Sequence, residues 1–255
     1  MLSRPPEVYS IGVSREFDAI PQNLFDAIRE YRWLLDRGYP DQPSIKLVGD
    51  RRRLTREQRG ILYRGVFSAA DSARRAGRRV IPPASDGVAG SAAELLIDGH
   101  NVLFTIHNYL MGRPVVLATD GFVRDIGGTR ARLPHTDGFT RVARALCDAV
   151  ARFAWTSVNV LLDEPLPWSH EHAAELSRVW AESISATAHA AAVQFTVRTE
   201  PSVDAAVARA ESGLIATSDT AIIDRSSAGV FDLGGFVVRR VFGAAVTEVD
   251  AALRM

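Results

Sequence analysis

Three times after residue 90, a short apolar run stops on an aspartate. The runs are Leu95-Leu96-Ile97-Asp98, Val160-Leu161-Leu162-Asp163 and Leu214-Ile215-Ala216-Thr217-Ser218-Asp219. A short, continuous apolar run is what a strand buried on both faces requires, and such strands belong to parallel sheets covered by helices. The residue that ends a parallel strand projects into the crevice at the carboxyl ends of the strands, where sites in open α/β folds lie. Carboxylates gathered there repel one another unless a cation or a shared proton holds them. The recurrence therefore constrains fold and chemistry together: a parallel sheet with an acidic crevice suited to a metal ion.

The rest of the chain is consistent with that expectation. Apolar runs at 94–98, 157–162, 192–197 and 213–217 read as buried strands, with further candidates at 229–231 and 235–239. Helix-like stretches lie near 101–111, 138–155, 169–187 and 203–211. Such alternation predicts βαβ units and an α/β fold with helices on both faces of a parallel sheet. Residues 113–128 interrupt the rhythm: Pro114-Val115-Val116-Leu117-Ala118-Thr119 runs into Asp120-Gly121, a hairpin signal. Upstream, the prolines and glycines of 81–90 oppose both helix and strand and mark a break. Before that break we expect a helix over 21–37 that stops at Gly38, then a turn-rich link over 36–43. A second helix begins at Thr55, whose pairing with Gln58 is a capping box, and runs towards Arg75. The predicted division is a small, mainly helical, Arg-rich domain over 1–85 and an α/β domain over 91–255.

Charge follows the same division. Residues 1–90 carry a balance of +5 and the remainder −5, within a chain of zero net charge, as expected of a cationic module beside an acidic one. Of the 30 basic residues only Lys46 is a lysine, a skew we read as compositional. Cys147 is the only cysteine; no internal disulfide is possible, and a cytoplasmic setting is expected. Residues 4–7 lack an apolar signal core, and no run approaches the ~18–20 apolar residues of a membrane span. No phosphate-cradling glycine loop is present, so no nucleotide cofactor is expected. His170 and His172 lack the further ligands that zinc requires and read as surface residues at a helix start. Cys147, in mid-helix, is a poor candidate nucleophile.

A fourth acid joins the three strand-end aspartates. Ser202 is a good helix N-cap residue, which places Asp204 in a first helical turn, where a carboxylate is favoured by the helix dipole. Asp98, Asp163, Asp204 and Asp219 would then converge as oxygen ligands for Mg²⁺ or Mn²⁺, able to activate water against a phosphodiester. Asn101 and Ser218 are candidates to hold a carboxylate or a water, and His100 could face the same crevice. Each aspartate has a plainer role open to it, as a turn residue or helix cap. Asp120, Asp125 and Asp224 are secondary candidates. Arg51, Arg52, Arg53, Arg56, Arg59 and Arg64, with Arg74, Arg75, Arg78 and Arg79, could grip an RNA backbone. We read most of them instead as a solvated helix face with salt bridges to acids of the other domain. Tyr39, Tyr63 and Phe67 could stack bases, although Tyr63 and Phe67 are four apart and read as core.

The motif Asp98-Gly99-x-Asn101 after a first strand resembles the opening of the PIN-like ribonucleases, particularly their NYN (YacP-like) branch. Leu162-Asp163, Ser202-Val203-Asp204 and Thr217-Ser218-Asp219 follow in that branch's order over 94–240. The resemblance implies a three-layer α/β/α PIN-like (Rossmannoid) domain and a Mg²⁺- or Mn²⁺-dependent, endoribonuclease-type centre acting on RNA. It also implies a phosphate-facing role for Arg144, for which a plain helix-surface role stands equally. Two departures are Ala205-Ala206 after Asp204, where related proteins often carry a second polar residue, and the 113–128 insertion. Within the N-terminal part, Leu34-Leu35-Asp36-Arg37-Gly38-Tyr39-Pro40, Leu47-Val48-Gly49-Asp50-Arg51 and Leu54-Thr55-Arg56-Glu57-Gln58-Arg59 resemble domain of unknown function 434. In that family the module precedes a domain like the present one, of unknown function 5616. Alternatives to a ribonuclease are a catalytically degenerate PIN-like module that binds RNA or protein, and, more remotely, a haloacid-dehalogenase-like phosphatase. The latter needs a second acid where His100 stands and a lysine that the C-terminal part lacks.

Overall fold

The fold is that of a computed structural model, which describes residues 20–84, 93–127, 133–184 and 192–254. The N-terminal signal reading at 4–7, the break from 85 onward, Gly128 and the helix end expected at 185–187 lie outside the described residues. Two compact units divide the chain: Met1–Gly77 with Asn108–Ala131 and Ala244–Met255, and Arg78–His107 with Arg132–Gly243. The units differ from the linear division at 85/91, because the first is drawn from three separate stretches of sequence.

In the second unit, β1 (Ala93–Asp98), β4 (Trp155–Asp163), β5 (Gln194–Glu200), β6 (Leu214–Ala216) and β7 (Gly229–Val230) form one sheet in the order β5-β4-β1-β6-β7. All four pairings are parallel. Leu95, Ile97, Val158, Val160, Leu161, Leu162, Ile215 and Val230 are fully buried, as strands covered on both faces require. The helices are α5 (Gly99–Leu110), α6 (Asp137–Val150), α7 (Ser169–Ile184), α8 (Val203–Ala208), α9 (Thr220–Arg225) and α10 (Leu233–Phe236). The right-handed crossover that parallel strands favour, applied from β1 to β4 to β5, places α6 and α7 on one face, and these two helices pack against each other. The chain then reverses direction to build β6 and β7, which puts α8 and α9, also mutually packed, on the opposite face. The result is the expected three-layer α/β/α arrangement. Its direction of winding switches between β1 and β6, where such sheets open a crevice. The free edge of β7 is covered: Val80 N–H donates to Val230 O, and Val230 N–H to Arg78 O, each at 2.8 Å.

One strand expectation is overturned. Residues 235–239 continue from α10 into a π-helical turn, Val237–Val241, rather than a strand. Asp232 accepts the Gly235 N–H at 3.0 Å and so nucleates a helix where the valines alone suggested extension.

In the first unit, α1 (Gln22–Leu35) and α3 (Arg56–Gly65) begin close to where expected. The capping box forms: Gln58 N–H reaches Thr55 Oγ1 at 3.2 Å, and Thr55 N–H reaches Gln58 Oε1 at 3.0 Å. Two features differ from expectation. The link over 36–43 turns helical at α2 (Asp41–Arg51), because Pro43 sits in the first turn, where no backbone N–H is needed. The second helix is two helices, since Val66 is extended and Ser68 caps a new start, α4 (Ala69–Ala76). The expected hairpin forms from β2 (Val115–Leu117) and β3 (Val123–Asp125), and β8 (Thr247–Glu248) adds to β2 in parallel. Val116, Val249 and Ala252 join Leu24, Ile28, Tyr31, Leu62 and Val66 in one apolar core.

Candidate functional site

Asp98 ends β1 at the switch point and is only 4% exposed. Thr217, just past β6, donates its hydroxyl to Asp98 Oδ2 at 2.8 Å. The same hydroxyl oxygen accepts the Asp219 N–H at 3.1 Å, so one threonine ties two of the aspartates together. Burial pushes the Asp98 carboxyl up to about 7. The Thr217 bond opposes that shift, and the charges of Asp163, Asp204 and Asp219 all add to it. Asp204, in the first turn of α8, is also raised, first by burial and then by Asp219 and Asp163, with Arg225 opposing. The four carboxylates therefore share one electrostatic neighbourhood.

Each of the four is held differently. Asp219 is the N-cap of α9, its Oδ1 accepting the N–H groups of Ala221 at 2.8 Å and Ile222 at 3.1 Å. The plain reading of that residue as a cap is thus realised alongside its place in the cluster. Asp163, at the end of β4, has its Oδ2 3.1 Å from His100 Nδ1, and its backbone N–H donates to the same nitrogen at 2.9 Å. Ser202 stands at the N-cap of α8 but makes no side-chain capping bond.

Among the described residues Asn101 holds Ser218 rather than a carboxylate: its Oδ1 accepts the N–H of Ser218 at 2.9 Å and its hydroxyl at 3.0 Å. Asn101 and Ser218 thus latch the β1 end to the β6 end, parallel to the link between Asp98 and Thr217. Gly99 lets the start of α5 lie close against β4. A Cβ there would lie 2.6 Å from both Leu161 O and a Leu162 methyl.

Other candidates lie elsewhere. Arg144, on α6, pairs with Glu182 of α7 at 3.3 Å with both side chains about half exposed, so the structure gives it the helix-surface role. Asp120 is fully buried in a two-bond pair with Arg124, at 2.7 and 2.8 Å. Asp125 is buried on β3, and Asp224 is exposed on α9. His170 is exposed as expected, but His172 is fully buried. Tyr63 is half exposed rather than core, while Phe67 lies beneath the guanidiniums of Arg75 and Arg124. Burial pushes the Cys147 thiol up, which leaves it inert. Arg52 pairs with Asp26 and Glu30, Arg59 with Asp50, and Arg74 with Asp71. These acids all lie within the first 85 residues, whereas Arg75 reaches Asp120, beyond the break expected at 85–91, at 3.8 Å.

A family profile described as "Domain of unknown function (DUF5616)" matches residues 89–235, more than half of the chain. The chain belongs to the DUF5616 family. A second profile, "Protein of unknown function (DUF434)", matches residues 23–78, so the two modules follow each other in the expected order. No curated protein and no solved structure matches the chain. All four aspartates, with Asn101, Thr217 and Ser218, fall inside the DUF5616 match. The role of Thr217 was not apparent from spacing, and His100 was placed at the crevice only by its position two residues after Asp98, without its bond to Asp163. The signal available for Thr217 was the hydroxyl pair Thr217-Ser218, placed where β6 meets the crevice.

The donor chemistry of the cluster fits a hard divalent cation: the other three carboxylates raise the proton affinity of Asp98, and Asp163 and Asp219 raise that of Asp204, and a cation would relieve that repulsion. As the side chains stand, no group of three His, Cys, Asp or Glu residues among the described residues is arranged to hold an ion. No helix among the described residues is long and apolar enough to cross a membrane.

Proposed function

We propose that this crevice is a divalent-metal site for phosphodiester hydrolysis of RNA, with Asp98, Asp163, Asp204 and Asp219 as the residues that would hold Mg²⁺ or Mn²⁺. The observation that carries the reading is Asp98, buried at the switch point while three further carboxylates push its charge out. A bound ion would supply Lewis acidity, polarising a phosphoryl oxygen and lowering the pKa of a water. The chain's own residues do the rest. Thr217 fixes the orientation of Asp98, α9 fixes Asp219, and the Asn101–Ser218 latch keeps the two strand ends in register. Burial of Asp98 keeps bulk water from screening its charge.

An RNA partner is further supported by Arg29, Lys46, Arg53, Arg56 and Arg64, which form no ion pair among the described residues. Such cations suit a phosphate backbone. A buried lone thiol suits a cytoplasmic setting.

The test combines Mn²⁺ titration calorimetry with cleavage of end-labelled single-stranded and hairpin RNA. Cleavage should require Mn²⁺ or Mg²⁺ and stop with chelator. Asp98→Asn and Asp219→Asn should each lower it by at least ~100-fold, since changes one shell outside a metal already cost ~10–100-fold. Cleavage that survives both substitutions in a chain that binds no divalent ion would overturn the proposal.

A second reading keeps the fold without the chemistry: a degenerate module that docks RNA or protein. It is favoured by the commitment of Asp219 Oδ1 to helix capping and by the lack of a three-residue ion cage among the described residues. RNA shifted on a gel with no heat of Mn²⁺ binding would select it.

A further inference from the structure

Two buried nitrogens near Asp163 have no hydrogen-bond partner among the described residues: Nε2 of His100 and Nδ1 of His172. Their protonation follows from the partners of the opposite ring atoms. The Asp163 backbone N–H donates to His100 Nδ1 at 2.9 Å, so that nitrogen offers its lone pair and the neutral ring's proton is on Nε2. His172 Nε2 lies 3.4 Å from the carbonyl of Pro134. A carbonyl only accepts, so Nε2 carries the His172 proton and Nδ1 offers a lone pair. The two orphaned atoms are therefore complementary, one a donor and the other an acceptor.

The two rings lie 6.2 Å apart between centroids, at 69°. That separation exceeds what a direct bond of about 3 Å between ring nitrogens permits. Buried waters characteristically satisfy such a pair, accepting from one group and donating to the other. Packing holds the rings in place: His172 stacks on Phe139 at 4.0 Å, and Phe104 lies 6.0 Å from His100.

We propose that His172, acting through a single buried water and the His100 imidazole, is a positioning residue for the Asp163 carboxylate. The chain runs from the Pro134 carbonyl through His172, water and His100 to the backbone and carboxylate of Asp163. Its consequence for ion binding rests on the metal reading above; its hydrogen-bond order does not. The His100 Nδ1 lone pair lies 3.1 Å from Asp163 Oδ2, a repulsive contact that a cation on that carboxylate relieves. Orientation of the ring and cation affinity are thereby linked.

The test is long-range proton–nitrogen NMR on the full chain labelled at histidine nitrogens, followed by Mn²⁺ titration. Both His100 and His172 should appear as the Nε2–H tautomer in the unsubstituted protein. His172→Phe should shift the Asp163 amide and weaken Mn²⁺ by about 10-fold, as loss of an outer-shell partner does. His172→Asn, which keeps an acceptor near the Nδ1 position, should restore both. A His100 ring protonated on Nδ1 overturns the proposal even if the variants fail to fold. Unchanged Asp163 and His100 signals in His172→Phe overturn it as well. Correct tautomers and a shifted Asp163 amide in a chain that binds no Mn²⁺ would uphold the positioning chain and count against the metal reading alone.

Discussion

Asp98 destabilises the fold in its ionised state. Its carboxyl is raised from 3.8 to about 7, so above pH 7 the folded chain carries a buried charge that the unfolded chain keeps in water. As pH falls from 7 to 4 the folded form takes up the proton first, and that cost, on the order of a few kcal/mol, disappears. Asp98→Asn should therefore raise the melting temperature of cation-free protein above pH 7, by about 2–4 °C per kcal/mol regained. The gain should vanish near pH 4 in a thermal-melt series. His172 acts in the opposite direction. Burial lowers it from 6.5 to about 4, so its contribution is complete above pH 6.5 and is lost as pH falls towards 4. The two shifts oppose each other in the unsubstituted chain. In His172→Phe, melts taken across that window should show stability rising as pH falls, since the Asp98 contribution, with that of Asp204 in the same direction, is left without the opposing histidine. Individually, Asp98, Asp163 and Asp219 were legible because each ends an apolar run, and Asp204 because Ser202 marks a helix start just before it. His172 was not: its neighbours His170 and Glu171 are exposed, and one buried position in a polar helix start leaves no periodic trace.

At the scale of elements, the crevice depends on how closely the start of α5 approaches β4. Gly99→Ala would drive a methyl into Leu161 O, and overpacking of this kind costs about 1–3 kcal/mol. Denaturant melts should show that loss, with the Asp163 amide displaced in NMR spectra, since its donor contact to His100 lies one residue from the substitution. The strands of the main sheet could be read from sequence because full burial makes them continuously apolar. The capping box at Thr55 could be read because both partners lie in one motif. Helix α2 was hidden because Pro40 and Pro43 look like turn residues until Pro43 is placed inside a first turn. The Val66 break was hidden because Ser68 capping Asp71 reads equally as mid-helix polarity. In both cases the same local residues permit two structures, and the packing of Val48 and Val66 into the core decides between them.

For the whole molecule, the compact units do not follow the order of the chain. The core around Leu24, Ile28 and Leu62 is completed by Val116 from the hairpin and by Val249 and Ala252 from the last residues. A chain ended after residue 243 loses β8 and those two fully buried side chains. It should lose cooperative melting of the helical unit while the five-stranded unit keeps its own, which calorimetry would register as one transition in place of two, or as a large drop in total enthalpy. Proteins commonly fold domain by domain as they are synthesised, the N-terminal part first. Here the helices around Leu24, Ile28 and Leu62 must wait for Val249 and Ala252, so a bundle made early is sealed late, and synthesis halted before those residues leaves its apolar surface open.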